Sequence, residues 1–275
     1  MRIYYENCNG EIIYLDQQPY FMLDTSTIVD YEWDHMSNKT ETVISMFKKY
    51  MKQKNIDVAI ISDSINQHRG DINHLIDTLE EDVLTVNPGK LYVGEYYIAC
   101  YFVKSKKGKR YIDARKTSMS FSMIVEKDTW IREEYMRYRY AELPRDTSGR
   151  GYSYDYPYDY KSSGGHTAVF ANANTGYGHC VITIYGYANC PYVAIGSNIY
   201  QLNYVVQTGE RAVIDTETKK IYLIKKSGVI VNLFRYRGDH YIFEKIAPGE
   251  QMIYWNGNYD IDILLKTERS EPKWM

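Results

Sequence analysis

Few residues in this chain have the type and spacing that catalysis requires. Ser45-Met-Phe-Lys48 matches the S-x-x-K of serine acyltransferases, where a lysine one helical turn away takes the serine's proton. Ser270-Glu-Pro-Lys273 matches as well, in a tail where no helix can run through Pro272, so the pattern discriminates little. The companion S-D-N and K-T-G motifs are missing, as are G-x-S-x-G, G-x-x-x-x-G-K and H-E-x-x-H. The six histidines are scattered: His68 and His74 stand six apart, and His166 and His179 flank a Gly- and Asn-rich loop. Neither spacing is a metal signature, and solvated or turn histidines are expected. Cys8, Cys100, Cys180 and Cys190 include no C-x-x-C pair, which argues against structural zinc. Four reduced thiols made in a cytoplasm are expected, acting as small buried hydrophobes, with a Cys180–Cys190 disulfide left open. Asn38-Lys39-Thr40 reads as a chance match to a glycosylation acceptor.

Two acidic groups remain. If Asp30-Tyr-Glu-Trp-Asp-His35 is a strand, Asp30, Glu32 and Asp34 share one face and Tyr31, Trp33 and His35 the other. Three carboxylates on one side could bind a cation, although the wet face of an edge strand is the favoured reading. Glu80-Glu81-Asp82 falls in the last turn of a helix, against its dipole, and hints at a basic partner. No catalytic, metal or cofactor-binding residue is assigned, no cofactor is expected, and the chain does not read as an enzyme. The interface residues are not legible.

The elements that hold these residues form two groups. At about 150 residues per domain, 275 residues give a prior of two domains. Lys and Arg total 33 against 35 Asp and Glu, a net charge of −2 that argues against a protein built to grip nucleic acid. No apolar run approaches a membrane span, and MRIYYENCNG lacks the plan of a signal peptide. The 30 tyrosines against 7 phenylalanines suit core, interface or sugar-stacking roles, or an A/T-rich genome, and name no function. Arg2–Glu6 and Glu11–Leu15 predict a hairpin through Asn9-Gly10, with Tyr20–Leu23 and Ser26–Tyr31 continuing as strands. Val43, Ile44, Phe47, Tyr50 and Met51 predict a helix over Glu41–Lys54, and Ile56–Ile61 is a strand. Asp71–Leu84, N-capped by Asp71 and stopped before Asn87-Pro88-Gly89, is the clearest helix. Strands Tyr92–Lys104 and Tyr111–Val125 follow, joined by a turn at Lys106–Lys109.

Ile131–Gly165, with Pro144, Pro157 and the run Tyr152–Tyr160, resists regular structure and marks the boundary. Beyond it, Cys180–Tyr187, Ile199–Val206, Arg211–Asp215, Lys220–Lys225, Tyr241–Lys245 and Tyr259–Lys266 read as strands. Turns at Lys226-Ser227-Gly228, Pro248-Gly249 and Asn256-Gly257 separate them. The expected fold is an α+β N-terminal domain, strands plus one packed helix, followed by an all-β sandwich or jelly roll.

Particular segments add a resemblance. Asp82-Val-Leu-Thr-Val-Asn-Pro-Gly-Lys-Leu-Tyr-Val93, Tyr154-Asp-Tyr-Pro-Tyr-Asp-Tyr160, Trp255-Asn-Gly257 and Glu268-Arg-Ser-Glu-Pro-Lys-Trp274 resemble, in order, segments of siphophage distal tail proteins. The resemblance covers almost the whole chain, and the closing motif is its most specific part. It implies a tail-tube-like, ring-forming domain over 1–135, a linker over 136–165 and a galectin-like sandwich over 166–275. It implies a homo-hexamer joining the major tail-tube protein to the tail-tip or baseplate protein, with DNA passing through. In some members the outer domain carries receptor-binding proteins. The place implied is the distal end of the virion tail, after assembly in the bacterial cytoplasm, with no membrane and no sequence-specific nucleic acid. The resemblance also favours a loop and strand over the helix at Glu41–Lys54. The alternative is a carbohydrate-binding adhesin or baseplate protein reading host glycans. A tail-associated hydrolase fragment is disfavoured by the empty motif search.

Overall fold

A computed structural model describes residues 2–24, 26–37, 43–110, 115–140 and 165–273. The chain is mostly β, and it divides into two compact units: Met1–Arg132 with Glu268–Met275, and Glu133–Thr267.

The first unit opens on the Asn-Gly hairpin, with β1 (Ile3–Glu6) antiparallel to β2 (Ile12–Tyr14). Gly10 adopts φ +86°, and the Asn7 side chain accepts from the backbone N–H groups of Asn9 and Glu11. Short strands β3 (Asp16–Gln17) and β4 (Tyr20–Met22) follow. Ser26–Val29, expected as strand, is a one-turn helix, α1, whose Ile28 and Val29 are buried.

Glu41–Lys54 is not a helix. Ile44–Lys48 (β6) pairs antiparallel with Asp34–Ser37 (β5), and Lys52–Ile61 (β7) enters the main sheet. The helical period of Val43, Ile44, Phe47, Tyr50 and Met51 packs on nothing, since all five are exposed. Tertiary burial normally stabilises a helix of marginal length, and here it is absent. In β7, Lys54, Ile56, Val58 and Ile60 alternate inward.

The helix α2 runs Ile65–Thr85, about two turns longer than expected, and its N-cap is Ser64 rather than Asp71. Ser64 Oγ accepts from the Gln67 N–H at 3.2 Å, and Asp71 instead accepts from the Ser62 hydroxyl. The buried stripe of α2 includes polar members, His68, Thr78 and Asp82, that an apolar pattern does not reveal. Val86 ends the helix in the left-handed region.

Strands β8 (Gly89–Val93) and β9 (Tyr96–Arg110) form a hairpin turning at Gly94, and β9 then pairs with β10 (Lys116–Val125). The lysine run 106–109 is therefore strand, not turn: Lys106 faces Ser120 and Lys107 faces Met119. Gly108 lies where a Cβ would stand 2.8 Å from the Ser118 carbonyl oxygen. In β10, Thr117, Met119, Phe121, Met123 and Val125 point inward, and Ser118, Ser120 and Ser122 point outward. Tyr5, Leu15, Val58, Leu75, Leu79, Phe102, Phe121 and Trp130 belong to one core.

The segment expected to be irregular from Ile131 begins as a strand, β11 (Trp130–Tyr138). The run Tyr152–Tyr160, Pro144 and Pro157 lie outside the described residues. The second unit contains β12 (Gly165–Asn172), β13 (His179–Tyr185), β14 (Ala188–Asn189), β15 (Tyr192–Ile195), β16 (Asn198–Gln201) and β17 (Val205–Val206). It continues through β18 (Arg211–Asp215), β19 (Lys220–Ile224), β20 (Ile230–Asn232), β21 (Gly249–Asn256) and β22 (Ile261–Arg269). One sheet runs β20-β19-β18-β13-β22 and a second β12-β21-β15-β16. Ile182, Ile214, Leu223 and Ile263 of the first share one core with Phe170, Val193, Ile195 and Trp255 of the second. Tyr241–Lys245 is a turn rather than a strand, although Ile242 and Phe243 are buried. The turns at Pro248-Gly249 and Asn256-Gly257 bracket β21, which the pattern reading passed over.

Candidate assembly surface

The hairpin β5–β6 carries an apolar exterior. Asp34 faces Lys48, His35 faces Phe47, Met36 faces Met46 and Ser37 faces Ile44. Tyr31, Trp33, Met36, Val43, Ile44, Met46, Phe47, Tyr50 and Met51 in and beside it are 47–64% exposed. Four of the nine are aromatic, and the side chains of the paired residues alternate between the two faces of the hairpin.

Three lysines hold the root of this hairpin. Lys54 is buried, its ammonium 2.7 Å from Asp128 Oδ1, and it donates to the Ile28 and Asp30 carbonyls. Lys49 donates to the Asp128 carbonyl at 2.6 Å and lies 4.8 Å from the Trp33 ring centre and 5.6 Å from that of Tyr31. Burial holds the Lys49 ammonium below its ordinary pKa, against the pull of Asp128. Lys52 pairs with Glu32, and its hydrogen bond lowers the Glu32 carboxyl from its ordinary range. The root is thus anchored by the buried Lys54 and the part-buried Lys49, while the strands and flanks display apolar side chains.

The acid run Asp30–Asp34 does not form one strand face, because the strand begins only at Asp34 and Glu32 is committed to Lys52. Among the described residues, no three His, Cys, Asp or Glu side chains are placed to hold a metal ion. Ser45 and Lys48, three apart in a strand, fall on opposite faces, and Ser45 donates to the Met36 carbonyl. Ser270 lies just past β22. His68 is buried, with its ring near Ser62 and Thr117, and Ser62 also donates to Asp71. Serine, histidine and aspartate do meet here. The serine sits between the other two and is buried, so the trio anchors α2 and presents no nucleophile. His74 is half exposed beside Glu11, and His179 lies 3.3 Å from Thr216 Oγ1. The side chain of His166 lies outside the described residues. All four cysteines are free, with Cys100 and Cys180 buried and Cys190 exposed.

The partner of Glu81 and Asp82 is the chain's own first hairpin. Glu81 accepts from Asn7 and Asn9, and the fully buried Asp82 accepts from the Tyr5 hydroxyl and from the Cys8 N–H. Sequence spacing gave no signal for this network, since 77 residues separate Tyr5 from Asp82. No helix among the described residues is long and apolar enough to cross a membrane.

No family model and no curated protein matches the sequence. Solved structures do match it. The Dit protein of phage SPP1, described as a paradigm of the hub adsorption apparatus in phages infecting Gram-positive bacteria, aligns with a TM-score of 0.59 at 10% identity, over 97% of this chain and 98% of that one. A chain of the phage P2 baseplate in its activated conformation with Ca aligns at 0.61 and 12% identity, over 99% and 100%. The same baseplate with Sr gives 0.61 and 12%, over 98% and 99%. The chain has the fold of a phage tail-hub protein. At these identities the likeness is one of fold, and it extends through both units. Within this fold the β5–β6 hairpin and its flanks expose nine large apolar side chains.

Proposed function

We propose that the chain is a structural component of a phage tail: a distal tail hub whose copies form a hexameric ring between the tail tube and the tail-tip or baseplate proteins. DNA passes through the ring, and the chain performs no catalysis itself. Residues 1–135 build the ring, 136–165 link, and 166–275 form an outer galectin-like domain open to a receptor-binding partner. The protein resides at the distal end of the virion tail after assembly in the host cytoplasm.

The observation that carries this reading is the β5–β6 hairpin. It exposes nine large apolar side chains, Tyr31, Trp33, Phe47 and Tyr50 among them, and aromatic residues and methionine are enriched where proteins meet. The full-length likeness in fold to hub and baseplate chains supports a role in a multi-protein tail structure, and in this reading the partner is another copy. Six copies of the 32.3 kDa chain weigh about 194 kDa. Native mass measurement should find that mass, and negative-stain images should show rings with a central hole. A monomer at high concentration with no rings sinks the proposal.

A further inference from the structure

The second unit holds a cavity at one end of its β20-β19-β18-β13-β22 sheet. Tyr185 of β13 stands opposite Arg211 of β18, and Arg211 opposite Ile224 of β19, so the three side chains lie side by side on one face. That face is the outer one, because Ile184, Ala212 and Leu223, which alternate with them, are buried in the core. Beyond this row two turns wall a space of about 430 Å³. In the first turn the Glu210 N–H donates to the Gln207 carbonyl, and the Gln207 N–H donates to Glu210 Oε2 at 3.1 Å. In the second the Gly228 N–H donates to the Lys225 carbonyl, and the Lys225 N–H to the Val229 carbonyl. Tyr185 is fixed as well: its hydroxyl donates to the buried Asp262 at 2.7 Å, and Asp262 also pairs with Arg139. The walls are therefore set by their own hydrogen bonds before any ligand arrives, as in most small-molecule sites.

The lining is basic. Arg211, Lys225 and Lys226 are exposed along it, and among the described residues none of the three forms an ion pair. The Lys226 stem crosses between the two turns, since a Cβ on Gly209 would stand 3.5 Å from Lys226 Cδ. Glu210 is the one acid in the lining, and its carboxylate is engaged by the Gln207 N–H. Gly186, Gly209 and Gly228 add no side chains, so a ligand meets backbone there. Three cations around one hollow suit a group with several negative oxygens better than a lone carboxylate. An arginine fork takes two phosphate oxygens, and a lysine adds a point charge. We propose that this cavity binds the phosphate group of a small phosphorylated compound, with Arg211 as the fork and Lys225 and Lys226 closing around it. The volume falls within the roughly 300–1,000 Å³ of small-ligand sites. The site lies wholly in the second unit and does not depend on ring assembly.

The test titrates the full-length chain by calorimetry with inorganic phosphate, glycerol phosphate and glucuronate in a phosphate-free buffer. At least one phosphate probe should bind saturably, once per chain, and glucuronate about tenfold or more weaker. Equal affinity for the two phosphate probes identifies the free anion as sufficient, and tighter glycerol phosphate identifies an ester. Arg211→Ala combined with Lys226→Ala should weaken phosphate binding about tenfold or more, and Lys226→Glu alone, in the exposed turn, should weaken it as well. Lys219→Ala with Lys220→Ala, at the other end of β19, should leave it unchanged. Phosphate should raise the unfolding midpoint of the wild-type chain and not that of the Arg211 and Lys226 double variant. Without ligand that variant should melt with the wild type, which shows that it folds. The site is overturned if neither phosphate probe binds saturably, if glucuronate binds as tightly as phosphate, or if the folded double variant or Lys226→Glu binds phosphate like the wild type.

Discussion

Replacing Asp82 with alanine should release the first hairpin from the helix. Asp82 is fully buried and accepts two hydrogen bonds, from the buried Tyr5 hydroxyl and from the Cys8 N–H at 2.7 Å. Burial, with Cys100 and the Asp82 carboxylate adding to it, pushes the Tyr5 phenol far up, so it stays a donor at every pH at which the fold persists. Asp82→Ala leaves both donors without an acceptor. At about 1–3 kcal/mol for each of the two stranded groups, the cost is roughly 2–6 kcal/mol, about 4 at the centre of the range. Tyr5→Phe removes one donor and leaves the other bond intact, so it should cost about 1–2 kcal/mol. Gly89→Ala attacks the same place sterically, because its Cβ would overlap the Tyr5 hydroxyl and the Asp82 carboxylate. Hydrogen exchange at the β1 and β2 amides reads the opening directly. Each 1.4 kcal/mol is about tenfold in exchange rate, so Asp82→Ala should accelerate those amides about a hundredfold or more. Glu80→Ala, on an exposed position of the same helix, is the control and should change little. If Asp82→Ala exchanges within about threefold of wild type, worth roughly 0.6 kcal/mol, the network does not hold the hairpin.

Two further outcomes follow from burial. A thiol reagent should label Cys190 quickly and Cys8 more slowly, and reach Cys100 and Cys180 only after denaturation. Burial excludes the reagent from both of these and raises the Cys180 thiol to about 12; rapid labelling of four thiols in the native chain would contradict the fold. Alkaline titration should separate the 30 tyrosines into classes. Burial raises Tyr20, Tyr138 and Tyr185 to about 12 and Tyr5, Tyr200 and Tyr259 further. A phenol raised in the folded state lends its stability fully below the unfolded value near about 10, and that contribution is lost as pH climbs through the folded value. Denaturation midpoints should therefore fall steadily from about pH 10 upward. Thirty phenols ionising together near that pH, with the fold intact, would refute the burial.

Local chemistry was legible where a short segment carries its own instruction. Asn9-Gly10 specifies a tight hairpin turn, and Asn87-Pro88-Gly89 stops α2. The alternation in β7 and Lys220–Ile224 matches strands with one buried face, and the run Arg211–Asp215 matches a strand buried on both. The same rule failed where burial is missing. Val43, Ile44, Phe47, Tyr50 and Met51 keep a helical period, yet they form a hairpin because no core lies against them. Lys106–Lys109 looked like a turn from composition, but β10 pairs with Lys106, Lys107 and Arg110 around a bulge and draws the segment into a strand. The start of α2 was missed because His68 and Ser64 serve through side-chain hydrogen bonds, which hydropathy does not register.

By itself the sequence determined the β-rich character, the one long helix, the absence of a recognisable catalytic motif, and the ordered segments that resemble distal tail proteins. These depend on residues near one another in the chain, where turn geometry and periodicity act. Only the tertiary structure decided that Asp82 serves Tyr5, that Lys54 and Asp128 root a hairpin, and that the hairpin's apolar side chains are exposed. Each of these joins residues far apart in the chain. Which partner a buried charge finds, and which apolar groups find none, is settled by the packing of whole elements and not by spacing along any one of them.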